Sequence, residues 1–211
     1  MGYLPNFIFL CLLIFGGGFF TRNILRIKRN ILLGKEAGRN DQKSERWKHM
    51  VRVALGQSKM GVKPVAAALH LVVYIGFILI NIELLEIILD GLLGTHRLFA
   101  PLLGSIYDFL IGSFEILALL VLIAVIFFWT RRNLVKIERF WKSEMKGWPK
   151  RDADYILYFE VVLMLLFLSM NATDSLLQQQ AAESYIKAGS FPVSQFLTPL
   201  FEGLGLEALI L

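Results

Sequence analysis

Four long apolar runs limit what this chain of 211 residues can fold into. Each run approaches or exceeds the roughly 20 residues with which a helix crosses a hydrocarbon core of about 30 Å. With 56% hydrophobic and only 18% charged residues, the composition excludes an ordinary soluble globule and a disordered chain. We therefore predict an all-α integral membrane protein, a four-helix bundle. The apolar runs cover residues 3–20, 65–89, 106–129 and 155–170.

The basic residues are concentrated in two segments. Of the 22 Lys and Arg residues, twelve lie between residues 21 and 63 and eight between residues 130 and 153. These segments follow the first and third apolar runs, and the positive-inside rule places such segments in the cytoplasm. We predict that both termini are outside, and that the net charge of +5 reflects cytoplasmic loops rather than nucleic-acid binding. The first run lacks a preceding Lys or Arg and a small-x-small cleavage pattern, so we interpret it as a retained anchor.

The predicted boundaries follow from these runs and charges. The cytoplasmic loops would cover residues 27–63 and 131–152, with a chain break before the fourth span. A transmembrane domain would occupy residues 1–176, and residues 177–211 would form an extracytoplasmic C-terminal segment that is expected to be truncated before a further helix. The predicted spans cover residues 4–26, 64–90, 104–130 and 153–172.

The first cytoplasmic loop contains an amphipathic stretch. Apolar side chains recur there at the spacing of one helix face, while basic residues lie off that face. We expect one interfacial amphipathic helix on the cytoplasmic surface. Its apolar positions are Trp47, Met50, Val51, Ala54 and Leu55.

The second span carries most of the intramembrane polar residues. An ionisable group at the bilayer centre costs about 2.5–3.5 kcal/mol, so each is a functional candidate. His70 lies near the cytoplasmic end, whereas Glu83, Glu86 and Asp90 lie toward the outer end on the opposite helix face. Glu86 and Asp90 are either functional or simply exposed to water near the interface. A lipid-facing aliphatic stripe separates the two polar faces: Leu71, Ile75, Ile78, Ile82, Leu85 and Leu89.

Two further carboxyl groups lie inside the third and fourth spans. Glu115 is near the middle of the third span, and Glu160 is about two turns into the fourth. They are either protonated, hydrogen-bonded core residues or members of a proton path. The sequence does not separate these alternatives.

Histidine and cysteine content restricts the cofactors. His70 either hydrogen-bonds across helices or ligates a metal through a neutral imidazole nitrogen. His96 is 26 residues further on, about 39 Å along a continuous helix, so the two cannot bind one iron. His49 belongs to the predicted interfacial helix. Because Cys11 is the single cysteine, the chain has no iron–sulfur or zinc motif.

Three blocks of sequence resemble a known family. They are HLVVYIGFILINIELLEIILDGLLGTHRLF at residues 70–99, RWKHMVRVALGQSKM at 46–60 and MKGWPKRDADYILYFEVVLM at 145–164. In this order they resemble the N-terminal membrane domain of bacterial heterodisulfide-reductase-related iron–sulfur oxidoreductases, which is similar to the gamma subunit of respiratory nitrate reductase. The resemblance implies a haem b domain of the bacterial inner membrane, with His70 as an axial haem ligand.

The resemblance also implies partners. Members of the family continue into a further histidine-bearing helix and cysteine-rich cluster motifs, which this sequence does not contain before Leu211. The second haem ligand and an iron–sulfur domain or subunit would then come from a downstream segment or another chain. The basic loops would dock that partner or anionic lipid headgroups.

The leading hypothesis is a membrane subunit or fragment of a respiratory electron-transfer oxidoreductase. It would carry electrons between quinone and the iron–sulfur partner through haem b, with Glu83 or Glu86 handling quinone protons at the outer side. One alternative is a small proton-coupled transporter that uses four carboxyl groups as a relay, and another is a structural membrane subunit. The relay residues would be Glu83, Glu86, Glu115 and Glu160.

Overall fold

The regular secondary structure of the described part of the chain is all-helical, as predicted. The computed structural model describes residues 3–35, 38, 41–58, 64–180 and 185–205, and no strand occurs among them. Four helices are long and apolar enough to cross a membrane. These are α1 (Leu4–Leu32), α3 (Pro64–Leu93), α5 (Ser105–Asn133) and α6 (Trp148–Gln179), with the short helices α2 (Lys43–Met50) and α4 (Ala100–Leu103) between them.

The helices are longer than the predicted spans. Helix α1 continues six residues beyond the predicted end at residue 26, and α6 extends from Trp148 to Gln179 rather than over 153–172. The predicted spans followed the apolar residues, whereas backbone hydrogen bonding continues into polar sequence. Helix α6 begins directly after Gly147, which has φ +80°, and Pro149 fits its first turn because no backbone donor is needed there.

The predicted amphipathic stretch is helical. Helix α2 continues into a π-helical turn at Val51–Leu55. Trp47, Met50 and Leu55 on this stretch are exposed, as an unpartnered apolar face would be.

The chain divides into two compact units. The first contains Met1–Ala67 and Gly91–Gly94, and the second contains Ala68–Asp90 and Thr95–Leu211. In the first unit, Asn6 Nδ2 donates a hydrogen bond of 2.8 Å to the carbonyl oxygen of Gly91. A Cβ at Gly91 would come within 2.6 Å of the Phe9 ring, so this close approach requires glycine.

The core of the second unit is built around α5. Ala118, Val121 and Val125 of α5 pack with Met164 and Leu168 of α6 in one buried cluster. A second cluster lies toward the start of α5 and contains Tyr107, Ile111 and Phe114 together with Ala100 of α4.

The aliphatic stripe of α3 lies on the outside of the structure. Five of its six residues are exposed, and Leu89 is half-buried. On another side of α3, a Cβ at Gly76 would come within 2.7 Å of Val121 Cγ2. This contact places the polar residues of α3 within reach of α5.

Candidate functional site

A buried arginine is the centre of the polar interior of the second unit. Arg97 lies in the connector between α3 and α4, which we define as residues 95–99, and is only 5% exposed. Its backbone has φ +54°, in the left-handed region that few non-glycine residues adopt. This conformation is maintained because the side chain has several strong partners.

The guanidinium of Arg97 binds side chains from three helices. Its Nε and one terminal nitrogen donate to Oδ2 of Asp174 on α6, at 3.0 and 2.7 Å. The same terminal nitrogen donates to Asn171 Oδ1 at 2.8 Å. The other terminal nitrogen donates to Glu83 Oε1 on α3 at 2.8 Å and to the Tyr107 hydroxyl on α5 at 3.3 Å. The planar donor fork of arginine thus connects α3, α5 and α6.

Burial and charge act in opposite directions on Arg97. Burial alone would lower the pKa of the guanidinium, but the Asp174 carboxylate, together with Glu83 when it is ionised, more than offsets this and raises the pKa above its ordinary value. Arg97 therefore stays cationic inside the unit.

Carboxylates at the end of α3 fold the connector back toward the bundle. Asp90 accepts hydrogen bonds from the Thr95 hydroxyl at 2.5 Å and from the backbone N–H groups of Arg97 and Leu98 at 2.8 and 3.2 Å. Glu86 Oε1 accepts one from the Phe99 backbone at 2.7 Å. These bonds satisfy connector donors that have no helical partner.

His96 connects the same cluster to the C-terminal segment, which we define as residues 185–205. Its Nε2 lies 2.7 Å from Asp174 Oδ1, and its Nδ1 accepts a hydrogen bond of 3.1 Å from the Ile186 backbone. Because Nδ1 is an acceptor, this arrangement requires the neutral tautomer with its proton on Nε2. The imidazole also packs against the Tyr185 ring in a tilted arrangement, with the ring centroids 4.4 Å apart.

Three more side chains capture the backbone of the C-terminal segment. Gln178 Oε1 accepts from the Ala188 N–H at 3.2 Å, and Asp108 Oδ1 accepts from the Gly189 N–H at 2.6 Å. Glu115 Oε2 accepts from the backbone N–H groups of Val193 and Ser194 at 2.9 and 3.1 Å, and its Oε1 accepts from the Ser194 hydroxyl. Side chains of α5 and α6 thereby supply the hydrogen-bond acceptors that a neighbouring strand or a helical turn would otherwise give to the backbone of this irregular segment.

A separate apolar cavity lies between α3, α5 and α6. Its volume is about 460 Å³. Two of the residues that line it carry polar side chains, Asn81 and the half-buried Glu160. The Asn81 amide donates to the Phe77 carbonyl oxygen, while Glu160 has no hydrogen-bond partner among the described residues. The apolar lining includes Phe77, Leu84, Val121, Met164 and Phe167.

The predicted site residues fall into three groups. Glu83 and Glu86 are 1% and 2% exposed and belong to the Arg97 cluster, so the water-exposed interpretation of Glu86 is wrong. Glu115 is fully buried against the C-terminal segment. Glu160 lies in the apolar cavity.

His70 is separate from these three groups. It is half-buried and makes no hydrogen bond within the described part of the chain. Both nitrogens of His96 are engaged, so within the second unit the free imidazole is that of His70. Among the described residues, no group of three or more His, Cys, Asp or Glu side chains could hold a metal ion. The second unit therefore offers one imidazole without a hydrogen-bond partner, that of His70, as a candidate metal ligand.

Sequence reasoning missed the cation and three of its partners. Arg97 is one of two Lys or Arg residues outside the two basic segments, and this isolation is the signal that the sequence contains. Its contacts with Asn171 and Asp174 join positions 74 and 77 residues apart, so no local pattern shows them. No sequence pattern indicates Tyr107 as a partner of Arg97 either.

Searches of protein-family models, curated proteins and solved structures found no match to the chain. The contacts of the second unit are therefore the basis for assigning a function. They comprise a buried charge cluster, a free imidazole on α3 and an apolar cavity with one carboxyl group.

Proposed function

We propose that the chain is a membrane subunit of a respiratory electron-transfer oxidoreductase that carries electrons between quinone and an iron–sulfur partner through haem b. The observation that supports this best is the cavity between α3, α5 and α6. Ligand sites are typically apolar cavities of about 300–1,000 Å³ with a few polar groups. A quinone combines an apolar tail with carbonyl groups, and Glu160 offers it a carboxyl group that can exchange a proton.

His70 would be one axial ligand of the haem. Its imidazole lies on an apolar helix and is free of hydrogen bonds among the described residues. When bound, haem b supplies one-electron transfer. The second ligand would come from a further histidine-bearing helix or another subunit, and the clusters from an iron–sulfur domain or subunit.

The proposed topology has both termini outside the bacterial inner membrane. The basic segments that follow α1 and α5 would then face the cytoplasm, and α2 with its π-helical turn would lie in the interface through Trp47 and Leu55. The segment after α5 and the start of α6 present a cationic and aromatic surface. Lys136 of the segment and Lys150 of α6 lie 5.4 and 4.0 Å from the Trp141 ring centroid. This surface suits an acidic face of the iron–sulfur partner or anionic lipid headgroups.

The proposal predicts that His70→Ala abolishes b-type absorbance. The measurement is a reduced-minus-oxidised spectrum of membranes that contain the chain together with its iron–sulfur partner segment. The control is His49→Ala, because His49 is exposed on α2 and should leave the spectrum unchanged. A wild-type complex without b-type bands, or a His70→Ala variant that retains them, would contradict the proposal.

A second prediction concerns the cavity. Glu160→Gln should slow haem reduction by added quinol about 100-fold, since a positioned proton-transfer group contributes roughly 10²–10⁴ in rate. Stopped-flow absorbance measures this rate, and the haem content should not change. Glu144→Gln is the matched control because Glu144 is exposed in the segment after α5. An unchanged rate in Glu160→Gln would exclude this cavity as the quinone site.

A further inference from the structure

The charges around Arg97 do not balance. Four carboxyl groups contact this cation or its connector: Glu83, Glu86, Asp90 and Asp174. Asp174 already compensates the positive charge, because its Oδ2 accepts two N–H bonds from the guanidinium. An ionised Glu83 would place a second negative charge on the same cation with a donor on only one of its two buried oxygens, which is costly.

Three of the four carboxyl groups have donors on both oxygens. Donors on both oxygens stabilise the ionised form. One oxygen of Asp90 accepts hydrogen bonds from Thr95 and Leu98, and the other accepts one from Arg97. The two oxygens of Glu86 accept from Phe99 and Tyr107. Those of Asp174 accept from His96 and Arg97.

Glu83 differs from these three. Its Oε1 accepts a hydrogen bond from Arg97, whereas its buried Oε2 has no partner among the described residues. A proton on Oε2 would remove the uncompensated charge and leave the Oε1 acceptor in place. Of the four groups, Glu83 is therefore the one whose neutral form suits its surroundings.

We propose that Glu83 is a proton-binding site of this protein, which takes up one proton on Oε2 and releases it again to water. No other bond forms or breaks in this step. The site goes beyond electron transfer, because it depends on the charge balance of the cluster and not on a haem. The charged groups that act on Glu83 directly are Arg97 in the connector, Glu86 on α3 and Glu115 on α5. Tyr107 on α5 and Asp174 on α6 contact the same guanidinium, and His96 contacts Asp174.

Infrared difference spectroscopy of the purified full chain tests this site. Raising the pH should remove a carboxylic-acid C=O band in the wild type, and that band should shift in D₂O because its proton exchanges. Glu83→Gln should lack the band at every pH. This variant keeps an oxygen for Arg97 and imitates the protonated carboxyl, so it is expected to fold. The control is Glu86→Gln, which should retain the band.

A second variant tests the charge balance itself. Asp174→Asn removes the counter-ion of Arg97, so Glu83 should become ionised in its place and the band should disappear although Glu83 is still present. Retention of the band in Asp174→Asn or in Glu83→Gln would overturn the proposal. Loss of the band in Glu86→Gln, but not in Glu83→Gln, would also overturn it. None of these outcomes depends on haem content, so they are independent of the electron-transfer test.

Discussion

Replacement of Arg97 by methionine is expected to lower the free energy of unfolding by about 3–5 kcal/mol, the cost of removing one partner from a buried ion pair. The variant would leave Asp174 without its cation and Glu83, Asn171 and Tyr107 without their shared donor. The loss is large because the guanidinium is 5% exposed and water cannot replace it. Thermal or denaturant-induced unfolding in detergent micelles measures the effect.

Two matched variants separate charge from geometry at this position. Arg97→Lys retains the cation but not the planar fork, so we expect a smaller loss than in Arg97→Met. Arg151→Met removes an exposed arginine from the first turn of α6 and should change stability by less than about 0.5 kcal/mol. If Arg97→Met were as stable as Arg151→Met, the cluster would not hold α3, α5 and α6 together.

The four apolar helices were predictable because hydropathy is a local property of the sequence. The ends of these helices were harder to predict. The predicted spans stopped where charged residues begin, but a helix continues as long as its backbone groups find partners i→i−4. Helix α6 thus extends to Gln179. It carries Asp174, which lies beyond the predicted fourth span, and Gln178, which was predicted to belong to the C-terminal segment.

The site was predictable only in part. Glu83 and Glu86 were found because a carboxyl group inside an apolar run is rare. Arg97 lies outside both basic segments and outside the apolar runs, so neither pattern points to it. The distance between His96 and His70 assumed a continuous helix. The chain instead reverses after α3, and the connector inserts both side chains among the helices. That reversal depends on Asp90 and Glu86 binding backbone groups that follow them, which residue type alone does not reveal.

Glu115→Leu is expected to release the C-terminal segment from the bundle. Glu115 is fully buried and accepts three hydrogen bonds, from the backbones of Val193 and Ser194 and from the Ser194 hydroxyl. Leucine fills a similar volume but accepts none, so buried donors lose their partner at a cost of about 1–3 kcal/mol each. A local destabilisation of about 2.7 kcal/mol corresponds to roughly 100-fold faster opening. Hydrogen–deuterium exchange should therefore show about 100-fold faster exchange at Val193 and Ser194.

The rest of the second unit provides the comparison for this release. The amides in the middle of α5 and α6 should keep their protection, because the cluster of Ala118, Val121 and Leu168 is not touched by the change. Glu202→Leu is the matched control, since Glu202 is exposed in the same segment. Glu115→Gln retains one acceptor oxygen and should give an intermediate rate. Equal exchange rates in Glu115→Leu and the wild type would show that the segment is held by its apolar contacts, such as Phe191 against Ile111 and Phe114, and not by the buried carboxylate.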